Sequence, residues 1–221
     1  MADIIPAIMP ETYDDLTEKV ARVSSAVPIV QVDVMDGKFV QSRSWPYKKA
    51  DQSFEKILKE DMGLPAWDTL DYEIDMMVAD PEKEMERWIQ AGAARVIIHI
   101  ESLKDPKELI EKYRGTVGVG LAIGTATSLD TIFPFASEID FVQFMGIKNI
   151  GYQGQEFDPT ILPRITRLRD AYPELIISVD GGVTLDNALT IMRAGATRLV
   201  SGSEIFDSVN AIDTIEQFRR L

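Results

Sequence analysis

The chain contains no cysteine and a single histidine, His99. The first absence removes disulfides, thiolate metal sites and cysteine nucleophiles together. The second excludes any site built from several imidazoles, and a Ser-His-Asp triad would have to use His99. A metal here would rest mainly on oxygen ligands, which suits a hard cation such as Mg²⁺ or Mn²⁺. No apolar run approaches the ~20 residues needed to span a bilayer, so no membrane association is expected. The opening Met1-Ala2-Asp3-Ile4-Ile5 lacks the basic residues that begin a secretion signal, and the expected location is the cytoplasm. Positive charge is scarce: 23 Lys and Arg stand against 36 Asp and Glu, a formal net charge of −13. That field repels nucleic acid, so no nucleic-acid partner is expected. An anionic ligand would need local help from backbone N–H groups.

What remains is a soluble, globular balance of 45% hydrophobic and 27% charged residues over 221 positions. Short β-rich runs alternate with helical patterns. The runs are Ile4–Met9, Ile29–Met35, Leu70–Val78, Arg95–Ile100, Val117–Ile123, Ile139–Met145, Leu175–Val179 and Arg198–Val200. Helical candidates include Tyr13–Ser24, Pro81–Ala91, Pro159–Ala171, Leu185–Ala194 and Ala211–Leu221. Strands separated by helix-length crossovers pair in parallel. Eight such units predict one (β/α)₈ TIM barrel, the α/β class, spanning 1–221 as a single domain. An open doubly wound sheet is the rival. Ala91-Gly92-Ala93-Ala94-Arg95-Val96 is echoed by Ala194-Gly195-Ala196-Thr197-Arg198-Leu199, four units further on. A barrel of two similar halves would show that step, although such loops also recur by chance. The stretch from Phe39 to Gly63 is long and polar for a strand–helix connection. It holds Trp45 and Tyr47, read as exposed, and is expected to cover the site or to pack between subunits of a homo-oligomer.

Strand alternation locates the chemistry. Gln31, Asp33 and Met35 share one face of the second strand, opposite Val30, Val32 and Val34. The valine face suits the helix ring, so the polar face points into the barrel. By the same pattern Glu73, Asp75 and Met77 face inward on the third strand, and Ser178 and Asp180 on the seventh. Three aspartates therefore aim at one interior. Buried like charges raise one another's pKa, so either protons are shared or a cation sits between them. A divalent metal with Gln31 as a neutral fourth ligand would serve. Bonds to backbone groups and to each other would serve without one. His99 and Glu101 also alternate inward, and a lone histidine is more often a satisfied core residue than a catalyst. Met9, Met35, Met77 and Met145 sit at strand ends and form either an apolar roof over a ligand or plain core.

Glycines follow three consecutive strands: Gly151-Tyr152-Gln153-Gly154-Gln155, Asp180-Gly181-Gly182 and Gly202-Ser203. Barrels bind phosphate with the loops after strands seven and eight, where backbone N–H groups face the anion. Gly118, Gly120 and Gly124 lack the dinucleotide-binding spacing, and no P-loop is present.

Nearly end to end, these segments resemble the ribulose-phosphate 3-epimerase family. The match lies in Ile5-Pro6-Ala7-Ile8-Met9, Val32-Asp33-Val34-Met35-Asp36-Gly37-Lys38-Phe39-Val40, Asp75-Met76-Met77-Val78 with Pro81, the Gly151–Phe157 loop, Val179-Asp180-Gly181-Gly182-Val183 and Ser201-Gly202-Ser203-Glu204-Ile205-Phe206. The resemblance implies an isomerase of pentose-phosphate metabolism acting on a small phosphorylated sugar. It implies Asp33 and Asp180 as the catalytic acid/base pair working through an enediolate, beside a metal held by positions 31, 33, 75 and 180. Met35, Met77, Gly151, Gly154, Gly181, Gly182, Gly202 and Ser203 would contact substrate or phosphate. The chain departs from the family pattern at two ligands, where histidine is replaced by Gln31 and Asp75, and at Ala7, where serine is usual. These departures favour Mg²⁺ or Mn²⁺ over Zn²⁺ or Fe²⁺, or no metal at all. They also leave open a barrel that binds phosphosugars without turnover. Barrels that decarboxylate or condense phosphosugars carry Asp-x-Lys-x-x-Asp; Asp75 and Asp80 fit the acids, but Met77 stands where the lysine belongs.

Overall fold

The β2 sequence Ile-Val-Gln-Val-Asp-Val-Met is buried along its whole length. A strand buried on both faces needs helices outside and side-chain packing inside, which a closed parallel barrel provides. A computed structural model describes residues 2–48 and 51–221 and shows that barrel. Its strands are β1 (Asp3–Ile8), β2 (Ile29–Met35), β3 (Asp71–Met77), β4 (Arg95–His99), β5 (Gly118–Ile123), β6 (Phe141–Met145), β7 (Ile176–Asp180) and β8 (Arg198–Ser201). Neighbours pair in sequence order, and β1 closes on β8 with Ile5 opposite Val200.

The helices are α1 (Tyr13–Ala21), α2 (Ser53–Leu58), α3 (Pro81–Gln90), α4 (Pro106–Tyr113), α5 (Leu162–Ala171), α6 (Leu185–Arg193), α7 (Ser203–Phe206) and α8 (Ala211–Arg219). Their starts carry the expected chemistry. Thr12 accepts from the Asp15 N–H, Asp105 caps α4 ahead of Pro106, and Thr184 with Asn187 forms a capping box on α6. Between β5 and β6 the crossover holds only the 3₁₀ turn Leu129–Thr131. Among the described residues, no helix is long and apolar enough to cross a membrane.

The large apolar layer lies between sheet and helices and takes in Val30, Val32 and Val34 with Leu16, Met85, Trp88 and Ile191. Inside the barrel the apolar clusters are small: Ile5, Ala7, Ile29 and Val200 in one, Ile97, Ala122, Phe141 and Met145 in the other. The rest of the interior is polar. At the start of the strands Arg198 on β8 donates to Glu73 on β3, with both side chains buried. The guanidinium sits 5.0 Å from the Phe141 ring centre. Burial raises the Glu73 carboxyl above its ordinary range, and the Arg198 charge only partly opposes that shift.

Two expectations drawn from the sequence need correction. Trp45 is not exposed: 1% of its surface meets solvent. Its ring lies 5.6 Å from Phe54 and 5.8 Å from Trp88, and its indole N–H donates to Ser53 Oγ at 2.8 Å. Tyr47 is half-buried and donates to Glu84 at 2.6 Å. Tyr13 is a third aromatic neighbour of Trp45 at 5.8 Å, and an indole ring so surrounded gains more from burial than from a polar surface. Trp45 and Tyr47 thus fold onto the barrel's own flank, whereas Phe39 and Val40 at the start of the stretch lie at the barrel mouth, Phe39 with its ring centre 5.4 Å from that of His99 and Val40 against Gly151; positions 49 and 50 of the stretch lie outside the described residues. Glu101 does not face the interior. The β4 strand ends at His99 and a 3₁₀ turn, Ile100–Ser102, breaks the alternation. The Glu101 carboxylate instead accepts from the Gly124 N–H at 2.9 Å and from Thr127 Oγ1 at 2.5 Å.

Candidate active site

At the C-terminal ends of the strands a cleft opens, and its floor is acidic. Period-two alternation turns Gln31 and Asp33 of β2, Asp75 of β3 and Asp180 of β7 to the same interior, and register sets their heights. Asp33 pairs with Asp75 across β2 and β3, while Gln31 sits level with Ala7 on β1. One oxygen from each of Asp33, Asp75 and Asp180 lies within 4.8 Å of the others, and all three residues are buried. The Gln31 amide nitrogen bridges two of them, donating to Asp33 Oδ1 and Asp180 Oδ2 at 2.8 Å each. Gln143 of β6 adds a donor to Asp180 Oδ2 at 3.3 Å. Asp75 meets His99 of β4, with His99 Nε2 3.0 Å from Oδ1.

This crowding moves the titrations. Burial pushes the Asp33 carboxyl well above its ordinary range, and the charges of Asp180 and Asp75 push the same way. Burial, then Asp75, raises Asp180 to about 7. The Gln31 hydrogen bonds oppose both shifts without cancelling them. Burial alone would lower the His99 pKa, but the adjacent Asp75 charge and hydrogen bond outweigh it and the net shift is upward. His99 therefore supports Asp75 from the barrel core through Nε2, while its Nδ1 is buried without a hydrogen-bond partner among the described residues.

Above the floor, Asp33 and Asp180 reach the cleft, whose walls include Met9, Met77 and Met145. Its rim carries Gly151, Gly154, Gly181, Gly182, Gly202 and Ser203, together with Tyr152 and Gln153. Gln31 and Asp75 lie beneath and do not line the opening; Gln31 holds the Asp33 and Asp180 carboxylates from below. Met35 also does not line it. Fully buried, it places its sulfur 3.3 Å from where a Cβ on Gly151 would stand, behind the loop after β6. Gly182 has φ +68°, and a Cβ there would come within 2.7 Å of the Phe157 backbone. Only glycine lets the loops after β6 and β7 pack so closely. The backbone N–H groups of Gly154, Gly182 and Ser203 have no internal acceptor among the described residues. Among those residues, no Lys or Arg lines the cleft.

The profile of the ribulose-phosphate 3-epimerase family matches residues 3–206. The chain belongs to that family. A ribulose-phosphate 3-epimerase from Eremothecium gossypii is 29% identical over 98% of this chain and 91% of its own length. One from Synechocystis sp. is 29% identical over 98% and 92% respectively. Among solved structures, 3-hexulose-6-phosphate synthase from Salmonella typhimurium superposes with a TM-score of 0.69 at 13% identity, covering 100% of this chain and 97% of that one, and so shares the fold.

Against the family pattern, Gln31 and Asp75 make the donor set below the cleft almost wholly oxygen. The residues fit a hard divalent cation. Three carboxylates converge, and Gln31 Oε1, Gln143 Oε1 and Asp75 Oδ2 are buried without a hydrogen-bond partner among the described residues. Gln31 would offer its carbonyl only with the amide turned over, because its nitrogen now faces both aspartates. Two participants went unnoticed in the sequence. Gln143 was legible from its alternation with Phe141 and Met145. Ser44, whose Oγ accepts from the Met35 N–H at 3.0 Å and donates to the Asp33 carbonyl at 2.8 Å, carried no local signal because it lies 11 residues from Asp33.

Proposed function

We propose that the protein interconverts D-ribulose 5-phosphate and D-xylulose 5-phosphate by moving the proton on the carbon beside the ketone. The observation that carries this reading is the Asp33–Asp180 pair. Two acids from strands on either side of the β1–β8 closure meet one cleft, and both carboxyls are raised. Two raised carboxyls that repel each other in their charged forms favour sharing a proton. That is the starting state a two-base epimerisation needs, with one carboxylate taking a proton from one face of the sugar and the other carboxylic acid returning one to the opposite face.

The substrate's phosphate belongs at the glycine rim, on the unengaged N–H groups of Gly154, Gly182 and Ser203. Met77 and Met145 flank the carbon chain and exclude water. Gln31 fixes the two carboxylates relative to each other. A divalent cation, Mg²⁺ or Mn²⁺ by ligand chemistry, would be held by Asp33, Asp75 and Asp180, joined by the Gln31 carbonyl only where the cation replaces the two Gln31 hydrogen bonds and the amide turns over, and would offset the negative charge that builds on the sugar oxygens as the proton leaves.

The test is to incubate the protein with D-ribulose 5-phosphate in deuterated water, with Mg²⁺, Mn²⁺ and Zn²⁺ in turn, and to follow the sugar by NMR. Xylulose 5-phosphate carrying deuterium at C3 is expected. Absence of both the product and C3 deuterium under every metal overturns the reading.

A further inference from the structure

Among the described residues, the rim that would take the phosphate has no cationic side chain, in a protein whose net charge is −13. Backbone N–H groups can cradle a dianion, but a rim made of them alone leaves its outer side open to water. One side chain reaches across that gap. Gln153, on the loop after β6, lines the cleft, and its amide nitrogen stands 2.8 Å from where a Cβ on Gly202 would be. It therefore hangs over the β8–α7 turn, beside Gly202 and Ser203. No hydrogen bond to protein engages that amide among the described residues, although both neighbouring features are tied down. The Gln155 side chain donates to the backbone carbonyls of Asn149 (2.5 Å) and Tyr152 (2.9 Å) and holds the loop's shape. At the loop's foot, Gly146 donates to the Asp180 carbonyl at 2.6 Å and accepts from Asp158 at 2.7 Å. A free amide on a braced loop, above a turn with an unengaged N–H, is a donor in search of an acceptor.

We propose that Gln153 is a substrate-binding residue, its side-chain amide donating to the phosphate of the substrate and closing the neutral cradle formed by Gly154, Gly182 and Ser203. This rests on the phosphosugar reading above. A neutral donor suits the place: a lysine would bind phosphate more tightly but would also pair with the site's aspartates.

The experiment compares wild type, Gln153→Gly and Gln153→Glu by steady-state kinetics with D-ribulose 5-phosphate and by competitive inhibition with inorganic phosphate. Loss of one hydrogen bond to a charged group predicts that Gln153→Gly raises both KM and the phosphate inhibition constant about tenfold. Gln153→Glu, the same length with a repelling charge, raises both further. The value of kcat stays within about twofold of wild type, because the reacting carbon is served by other groups, and the melting temperature does not move because the side chain is exposed. Wild-type turnover with KM and phosphate inhibition unchanged in both variants overturns the role of Gln153 and leaves the epimerase reading standing. A wild-type protein that neither turns over the sugar nor binds phosphate overturns both.

Discussion

Asp180→Asn should make the metal-free protein more stable, and increasingly so as pH rises. In the folded chain the Asp180 carboxyl is pushed from an ordinary 3.8 up to about 7. Between those values the folded protein holds a proton that the unfolded chain has released. Stability must then fall as pH climbs through that window. From pH 5 to pH 8 the loss amounts to about 3 kcal/mol, since each pH step below the folded value costs about 1.4 kcal/mol. Asp180 is only 8% exposed, so solvent screening takes little from this figure. Asparagine carries no charge at any of these pH values, yet its carbonyl still accepts from Gln31 and Gln143. The assay is urea unfolding of both proteins at pH 5 and pH 8 with a chelator present. The gap between variant and wild type should widen by about 3 kcal/mol, and Mg²⁺ or Mn²⁺ should narrow it again at pH 8 by neutralising the carboxylates. Parallel stability curves across that range would refute the account of three crowded acids.

Other consequences follow from the same geometry. Gly182→Ala forces a side chain into φ +68° and against the Phe157 backbone. It should lose about 2–4 kcal/mol in urea unfolding, with KM raised through the displaced loops. Arg198→Met leaves buried Glu73, at the strand starts, with only the longer 3.9 Å contact to Arg95 and should cost about 3 kcal/mol. Adding Glu73→Gln should recover most of that loss, and a double variant no better than the single one would show that the ion pair is not what matters. Trp45→Ala removes the centre of an aromatic cluster and should cost about 3–5 kcal/mol by thermal or urea unfolding, without changing the mass seen by light scattering.

Much of this was legible in the sequence, for a definite reason. Side chains alternate along a strand, so Gln31-Val32-Asp33-Val34 declares its inner and outer faces without knowledge of any neighbour. The same arithmetic puts Asp75 and Asp180 inside, and eight repeats of strand and crossover imply closure. What the sequence does not disclose depends on distance or on a broken period. Arg198 and Glu73 pair across 125 residues, and nothing near either one marks the partner. Trp45 resembles a surface residue because its flanking residues are polar, whereas Phe54 and Trp88 bury it from other elements. Continuing the β4 alternation two steps beyond the strand's end turns Glu101 inward, where the chain does not go. The helix α2 runs six residues without a side-chain cap, too short for a periodic signal.

The most direct test of the two-carboxylate account uses Asp33→Asn and Asp180→Asn, each incubated separately with D-ribulose 5-phosphate and with D-xylulose 5-phosphate in deuterated water. Loss of one acid should abolish interconversion in both variants. Each variant should still exchange the C3 proton of one sugar alone, the two variants favouring opposite epimers. Interconversion at the wild-type rate by either variant would contradict the assignment.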